Sequence, residues 1–340
     1  MRGQLGFYTL AGHTNSPRDL VQECLDAEAL GLDAAFISER FNLKEAATLC
    51  GAAGAVTERL RIATGATNPN TRHPLITATF ATTMHRLTGG RFSLGLGRGF
   101  GALFDAIGAP RVNMAMLGDH ASILRRLWHG ETIFGHDGPA GKYPYLGMDP
   151  SFDEDIPLLL TALGPRTIEF AGRVFDGVIL HTFFADETLA RCVELARRGA
   201  TEAGKDPDAF EIWSVLAVVH DPDRSRYLKA VVARLATYLQ GYGDLLVRVN
   251  GWDPTVLDRF RADEFVQGFR GALDAVASDD ELEHVASLLP QEWIDASAIG
   301  SAEFCAQRVE QQFDLGATGV ILHGATPSQL TEVVAAHRSR

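Results

Sequence analysis

The sequence predicts a closed parallel (β/α)8 barrel, a TIM barrel in the α/β class, on three observations. Eight short apolar runs recur along the 340 residues, at 5–10, 32–37, 60–65, 92–97, 156–161, 177–181, 210–219 and 319–323. Most are followed by a stretch with helical spacing. The runs are apolar throughout rather than alternating, as strands covered on both faces must be. The chain is taken as a single domain, 1–340, with insertions near 100–155 and 222–317; neither insertion has the Ser/Pro/Gly run or charge block of a linker.

Taken in order, the first run leads to Ser16, Pro17 and Asp19, which together offer an N-cap oxygen, a proline at the first helical position and a side chain able to reach back. Leu20, Val21, Cys24, Leu25, Ala27 and Leu30 then form one apolar stripe that stops at Gly31. The second run ends in Glu39-Arg40. The third leaves through Ala63 to Pro74, rich in small residues and proline, into a helix that starts at Pro74. The fourth ends in Gly95-Leu96-Gly97-Arg98-Gly99. After it come a helix around 115–128 and the turn-rich segment GHDGPAGKYPYLGMDPSFDED, expected as an irregular excursion over the barrel mouth. The fifth run passes through Ala162-Leu163-Gly164-Pro165-Arg166 into a helix. The pentapeptide GVILH stands at both 177–181 and 319–323, which marks two equivalent strands ending in His181 and His323. The long interval between 219 and 319 is mostly helical and carries YLQGYGDLLVRVNGWDP, which suits a lid, a dimer surface or plain packing. Thr326, Pro327 and Gln329 start the last helix.

Lys+Arg 31 against Asp+Glu 43 gives a net charge of −12 with no basic cluster, which excludes nucleic acid and anionic membrane surfaces as partners. No apolar run approaches the length of a membrane span, and the first residues are too short in apolar content for a signal h-region, so a cytoplasmic protein is expected. The four cysteines are far apart without a CxxC, so no zinc knuckle, redox pair or other metal site is expected. The local parts of P-loop, zinc-protease, serine-hydrolase and EF-hand sites are missing. Gly95, Gly97 and Gly99 leave Phe100 where a third Rossmann glycine belongs.

Chemistry in a parallel barrel sits where the strands end. The segment after the third strand suits the close approach of a flat ligand, or is a tight turn before Pro74. Gly95 to Gly99 fits a bound ring and its phosphate, or crowded packing. The turn at Gly164 and Pro165, helped by Arg166, is either an anion site built from free N–H groups or only a helix start. Glu39 beside Arg40 is either a structural ion pair or a partner in hydride transfer. His181 and His323 are packing residues or an acid and base.

The blocks GLDAAFISER, LRIATGATNPNTRHPLITATFATTMHRLTGGRFSLGLGRG, LLLTALGPRTIEFAGRVFDGVIL and LGATGVILHGATP resemble the luciferase-like flavin and deazaflavin oxidoreductase family, and within it the branch that uses coenzyme F420. The resemblance implies an F420-dependent oxidoreductase moving a hydride between the deazaflavin and a small organic substrate, in a homo-oligomer, a dimer. It places Gly65, Ala66, Thr67, Asn68, Gly97, Arg98 and Gly99 on the ring side, and Ala162, Gly164, Pro165 and Arg166 toward the phosphate. It also implies a cis peptide bond at Gly65-Ala66. Two positions depart from the family pattern: Arg40 stands where many members carry His, and Phe100 where some sugar-phosphate dehydrogenases are acidic. Glu39 and Arg40 remain the catalytic candidates. The rival readings are an FMN-dependent luciferase-like monooxygenase and a non-catalytic flavin-binding barrel.

Overall fold

The computed structural model describes residues 3–10, 16–41, 43–221 and 224–340. Residues 222 and 223, with which the second insertion was expected to open, lie outside the described residues. In chain order the strands are β1 (Gln4–Tyr8), β2 (Ala34–Ile37), β3 (Arg61–Thr64), β4 (Phe92–Leu96), β5 (Ile133–Gly138), β6 (Gly141–Leu146), β7 (Leu158–Thr161), β8 (Gly177–Thr182), β9 (Glu211–His220), β10 (Ala298–Gly300) and β11 (Gly319–His323). Eight of them close a parallel barrel in the order β1-β2-β3-β4-β7-β8-β9-β11, with β11 returning to β1. Each barrel strand lies within two residues of one of the eight apolar runs, and the two GVILH copies are β8 and β11.

The barrel interior is filled by a small set of large side chains. Phe36, Leu159, Ile179, Trp213, Val215 and Ile321 form its core, and the Phe36 and Trp213 rings meet edge-on with centroids 4.8 Å apart. Glycines on neighbouring strands make that room: a Cβ on Gly319 would stand 2.4 Å from the Trp213 ring, and one on Gly6 2.8 Å from Phe36. Large and small residues therefore alternate around the interior as a tapering barrel requires. The opposite, N-terminal end is closed by Arg61, which forks onto Glu211 at 2.7 and 3.0 Å and donates to Ser93 Oγ at 2.7 Å. A second and larger apolar core lies between the barrel and its helices.

Several local expectations are corrected. Ser16 does not cap the first helix, which runs Asp19–Leu30 with Arg18 at the N-cap position and no side-chain cap; the Ser16 hydroxyl accepts from Arg18 N in the preceding turn. That helix ends at Gly31 with φ 74°, the left-handed conformation a glycine adopts without strain. The turn-rich segment is irregular only in its second half, 147–155: before it, β5 and β6 form an antiparallel hairpin that turns between Gly138 and Gly141. At the far end of the chain Thr326 and Gln329 do form a capping box, over a short 3-10 turn. Among the described residues no helix is long and apolar enough to cross a membrane.

Strand β3 departs from β4 early, because only Ile62 with Phe92 and Ala63 with Ser93 remain in register. The Gly65-Ala66 bond that follows is cis. Thr67 then rejoins β4, donating from its N–H to Gly95 O and accepting at its carbonyl from Gly97 N, both at 2.9 Å. This detour brings the end of β3 to the barrel mouth.

Candidate active site

Two adjoining cavities open at the C-terminal end of the barrel and share Thr161, Ala162 and His181. The first, of 210 Å³, lies over the barrel axis between Tyr8, Arg40, Gly65, Tyr238 and His323. The second, of 460 Å³, runs out between Arg98, Gly99 and Phe100 on one side and Gly164, Thr167 and Leu245 on the other.

Of the residues singled out for a ring, Gly65 lines the first cavity, and Arg98 and Gly99 line the second. Ala66, Thr67, Asn68 and Gly97 form the wall behind them. Asn68 Nδ2 donates to Gly97 O at 2.9 Å, and Thr67 is 1% exposed. The glycines in and just after β4 are there for packing: a Cβ on Gly95 would lie 2.0 Å from the backbone oxygen of Thr64, and one on Gly97 2.7 Å from Thr161 Oγ1. Gly164 is different. A Cβ there meets only the Leu245 methyls, at 3.7 and 3.8 Å, so its side-chain position faces the gap of the second cavity. It is the N-cap of the helix Pro165–Val174 and carries no side-chain cap. Ala162 lines both cavities, whereas Pro165 and Arg166 are exposed and line neither.

Glu39 and Arg40 are not a pair. The Glu39 carboxylate is 3% exposed and lies outside both cavities; it accepts from Ala46 N at 3.0 Å, Thr67 Oγ1 at 2.8 Å and Arg72 Nη2 at 2.8 Å. Its partners tie the end of β2 to the helix Ala46–Val56 and to the detour after β3, so it fixes the wall and touches no ligand space. Arg40 lines the first cavity and pairs with Asp274 at 3.4 Å.

The second insertion supplies what the sequence left undetermined. Arg234, Tyr238 and Tyr242 follow each other at intervals of four on the helix Arg234–Asn250, so they share one face, and that face closes the mouth. Tyr242 breaks helical geometry at φ −153° and ψ 35°. Its hydroxyl lies 2.7 Å from His181 Nε2, while His181 Nδ1 lies 2.7 Å from the Thr182 carbonyl. A carbonyl only accepts, so Nδ1 carries the proton and Nε2 accepts from Tyr242. Burial pushes His181 down to about 4 and the Tyr242 phenol up, so both are neutral and the shared proton rests on Tyr242. The i, i+4 polar-aromatic spacing was a readable signal for this face. Lys44 faces Arg40 across an antiparallel bridge, which helical spacing does not announce, and burial brings its ammonium down to about 8. Asp274 and Thr167 had no such signal.

Three buried histidines give the fold a pH dependence. Burial lowers His120 and His181 to about 4, and His323 well below its usual value. A folded-state pKa below the unfolded one gives stability that is complete above about pH 6.5 and is lost as pH falls toward the folded value. Each ring is expected to cost about 1 to 2 kcal/mol by about pH 5. Urea midpoints measured between about pH 7 and 5 should fall, and three imidazole NMR signals should fail to titrate above about pH 5. A flat midpoint with all rings titrating near their ordinary value would overturn this.

Comparison with known proteins agrees with this geometry. The sequence profile of the luciferase-like monooxygenase family matches residues 4–319. A 5,10-methylenetetrahydromethanopterin reductase of Methanolobus tindarius is 27% identical over 298 residues, covering 87% of this chain and 86% of its own. An F420-dependent glucose-6-phosphate dehydrogenase of Beutenbergia cavernae is 27% identical over 300 residues, covering 82% and 85%. The solved structure of the coenzyme F420 dependent tetrahydromethanopterin reductase from Methanopyrus kandleri superposes with a TM-score of 0.79 at 20% identity, over 100% of this chain and 99% of that one. With the eight-stranded barrel, the β3 detour and the profile match all running through the same residues, the chain belongs to the luciferase-like monooxygenase family.

Proposed function

We propose that this chain is a coenzyme F420-dependent oxidoreductase that transfers a hydride between the deazaflavin and a small organic substrate. The observation that carries the reading is the pair of joined cavities, one over the barrel axis and one reaching a helix start, on a chain whose curated relatives include enzymes named F420-dependent. The residues fit that group. Gly65 and Ala162 offer side-chain-poor walls to a flat ring. Gly164, Thr167 and Arg98 surround the space for a phosphate-bearing tail, where N–H groups at a helix start and a guanidinium favour an anion. When bound, the deazaflavin supplies two-electron hydride chemistry.

The protein's own part is binding, orientation and proton handling. Ala66, Thr67, Asn68 and Gly97 hold the wall at the β3 and β4 ends, and Glu39 with Arg72 braces it from behind. Glu39 is thereby a positioning residue. The His181–Tyr242 pair is assigned to the proton: Tyr242 Oη takes one at the cavity while its own passes to the bare Nε2 of His181, and the reverse order returns it. The reading includes a single domain and a cytoplasmic homodimer, the latter checked by sedimentation.

Titration of intrinsic fluorescence tests the cofactor. Trp213 sits in the barrel core beside Val215, which lines the first cavity, and serves as a reporter. Coenzyme F420 is expected to bind more tightly than FMN, and Gly164→Leu, which fills the tail space with the fold intact, is expected to weaken it by about tenfold or more. FMN bound as tightly, with oxygen consumed on adding reduced flavin and substrate, would replace this reading with the monooxygenase. Unchanged affinity in Gly164→Leu would remove the tail site.

A further inference from the structure

The first cavity collects three cationic side chains, Arg40, Lys44 and Arg234, at the β2 and β9 side of the mouth. Asp274, whose side chain is 2% exposed, contacts both guanidiniums, at 3.4 Å from Arg40 and 2.5 Å from Arg234. Arg234 is itself buried, with 9% of its side chain exposed, and its Nε has no hydrogen-bond partner. His323 Nδ1, on the same cavity, also has none. The Lys44 ammonium donates to the Thr9 carbonyl at 3.3 Å, and no carboxylate of the described residues lies within ion-pair distance of it.

A half-buried ammonium with no carboxylate in contact, beside a guanidinium whose Nε is unpartnered, is unfavourable on a cavity wall and favours a ligand that completes it. The field points the same way. Arg234, Arg40 and Lys44 all add to burial in depressing His323, and burial, Arg40 and Arg234 depress Lys44 against a partial offset from the nearby Glu23 carboxylate. An anion in the cavity reverses every one of these interactions. The Arg234 guanidinium on the cavity wall, its buried Nε still without a partner, is with a lysine a donor set for the oxygens of a carboxylate or a phosphate.

We propose that Arg234 and Lys44, assisted by Arg40, form a specificity site that takes the oxyanion, carboxylate or phosphate, of an acidic substrate. The inference rests on the functional reading above, since it names the substrate class of the same cavity. It separates the two anionic partners spatially: the cofactor tail lies with Arg98 and Gly164 on the β4 and β7 side, and the substrate acid lies across the mouth.

The test is calorimetric titration of the F420-saturated protein with acetate, with inorganic phosphate and with acetamide, which has the shape of acetate without its charge. Acetate or phosphate is expected to bind, and acetamide to bind about tenfold more weakly or not at all. Arg234→Met and Lys44→Met are each expected to weaken the oxyanion by about tenfold, with F420 affinity changed less than about twofold. Lys44→Met breaks no ion pair at contact distance and only weakens the longer-range attraction to Glu23, so it stays informative if Arg234→Met misfolds through Asp274. Acetamide binding as well as acetate, or both variants binding the oxyanion as the parent does, would overturn the proposal. So would F420 affinity falling in step with oxyanion affinity, which would give these cations to the cofactor. If F420 itself fails to bind, the functional reading fails, and the same titrations on the unloaded protein still decide the oxyanion site.

Discussion

Glu39→Ala is expected to lose about 1 to 3 kcal/mol of stability, the range for leaving buried donors unsatisfied, because Arg72 keeps its ion pair with Glu45. The substitution leaves Arg72, Thr67 Oγ1 and the N–H of Ala46 without the carboxylate that all three now share. The backbone bond from Glu39 N to Ala66 O, at 2.9 Å, survives the substitution, so the loss measures the side chain alone. Coenzyme F420 affinity should fall with stability, since the wall loosens. Glu39→Gln keeps acceptor and shape but not charge, and should sit between the parent and the alanine variant in both measurements. Urea denaturation and fluorescence titration read the two quantities. A Glu39→Gln protein of parental stability and cofactor affinity whose kcat alone falls would overturn the positioning role and return Glu39 to the chemistry.

Tyr242→Phe is expected to lower kcat by about 10² while F420 affinity stays nearly unchanged. The ring still packs on Tyr238, with which it stacks at 5.5 Å, so the closed face is kept. What is lost is the hydroxyl proton and the partner of His181 Nε2, at a stability cost of about 1 to 3 kcal/mol. A solvent isotope effect on kcat separates proton handling from structure: present in the parent and altered in Tyr242→Phe if the pair moves the proton, the same in both if it only orients the helix. A folded Tyr242→Phe protein with parental turnover would remove the pair from the mechanism.

The eight barrel strands were legible because a parallel strand is buried on both faces whatever its neighbours, so its apolar character is written locally. The helix start after β7 was legible for a related reason. Gly164 stands at a strand-to-helix junction, and the Ala162 to Arg166 turn announces that junction by its Gly-Pro pair. The hairpin β5–β6 was missed because its alternation is broken by polar and glycine residues and its two strands support only each other.

Partnership was not legible at all. Glu39 and Arg40 are adjacent in sequence, and adjacency suggested a pair, yet neighbouring residues near a strand end diverge. Glu39 turns to Arg72, 33 positions on, and Arg40 to Asp274, 234 positions on. By itself the sequence determined the barrel, its strand order and the glycine-poor or glycine-rich character of each strand end, all of which follow from periodicity and steric size within a few residues. Only the tertiary structure decided which charges meet, which tautomer His181 holds and which face of the helix Arg234–Asn250 closes the mouth. Those depend on desolvation and on contacts between segments brought together by chain closure, and no local pattern encodes them.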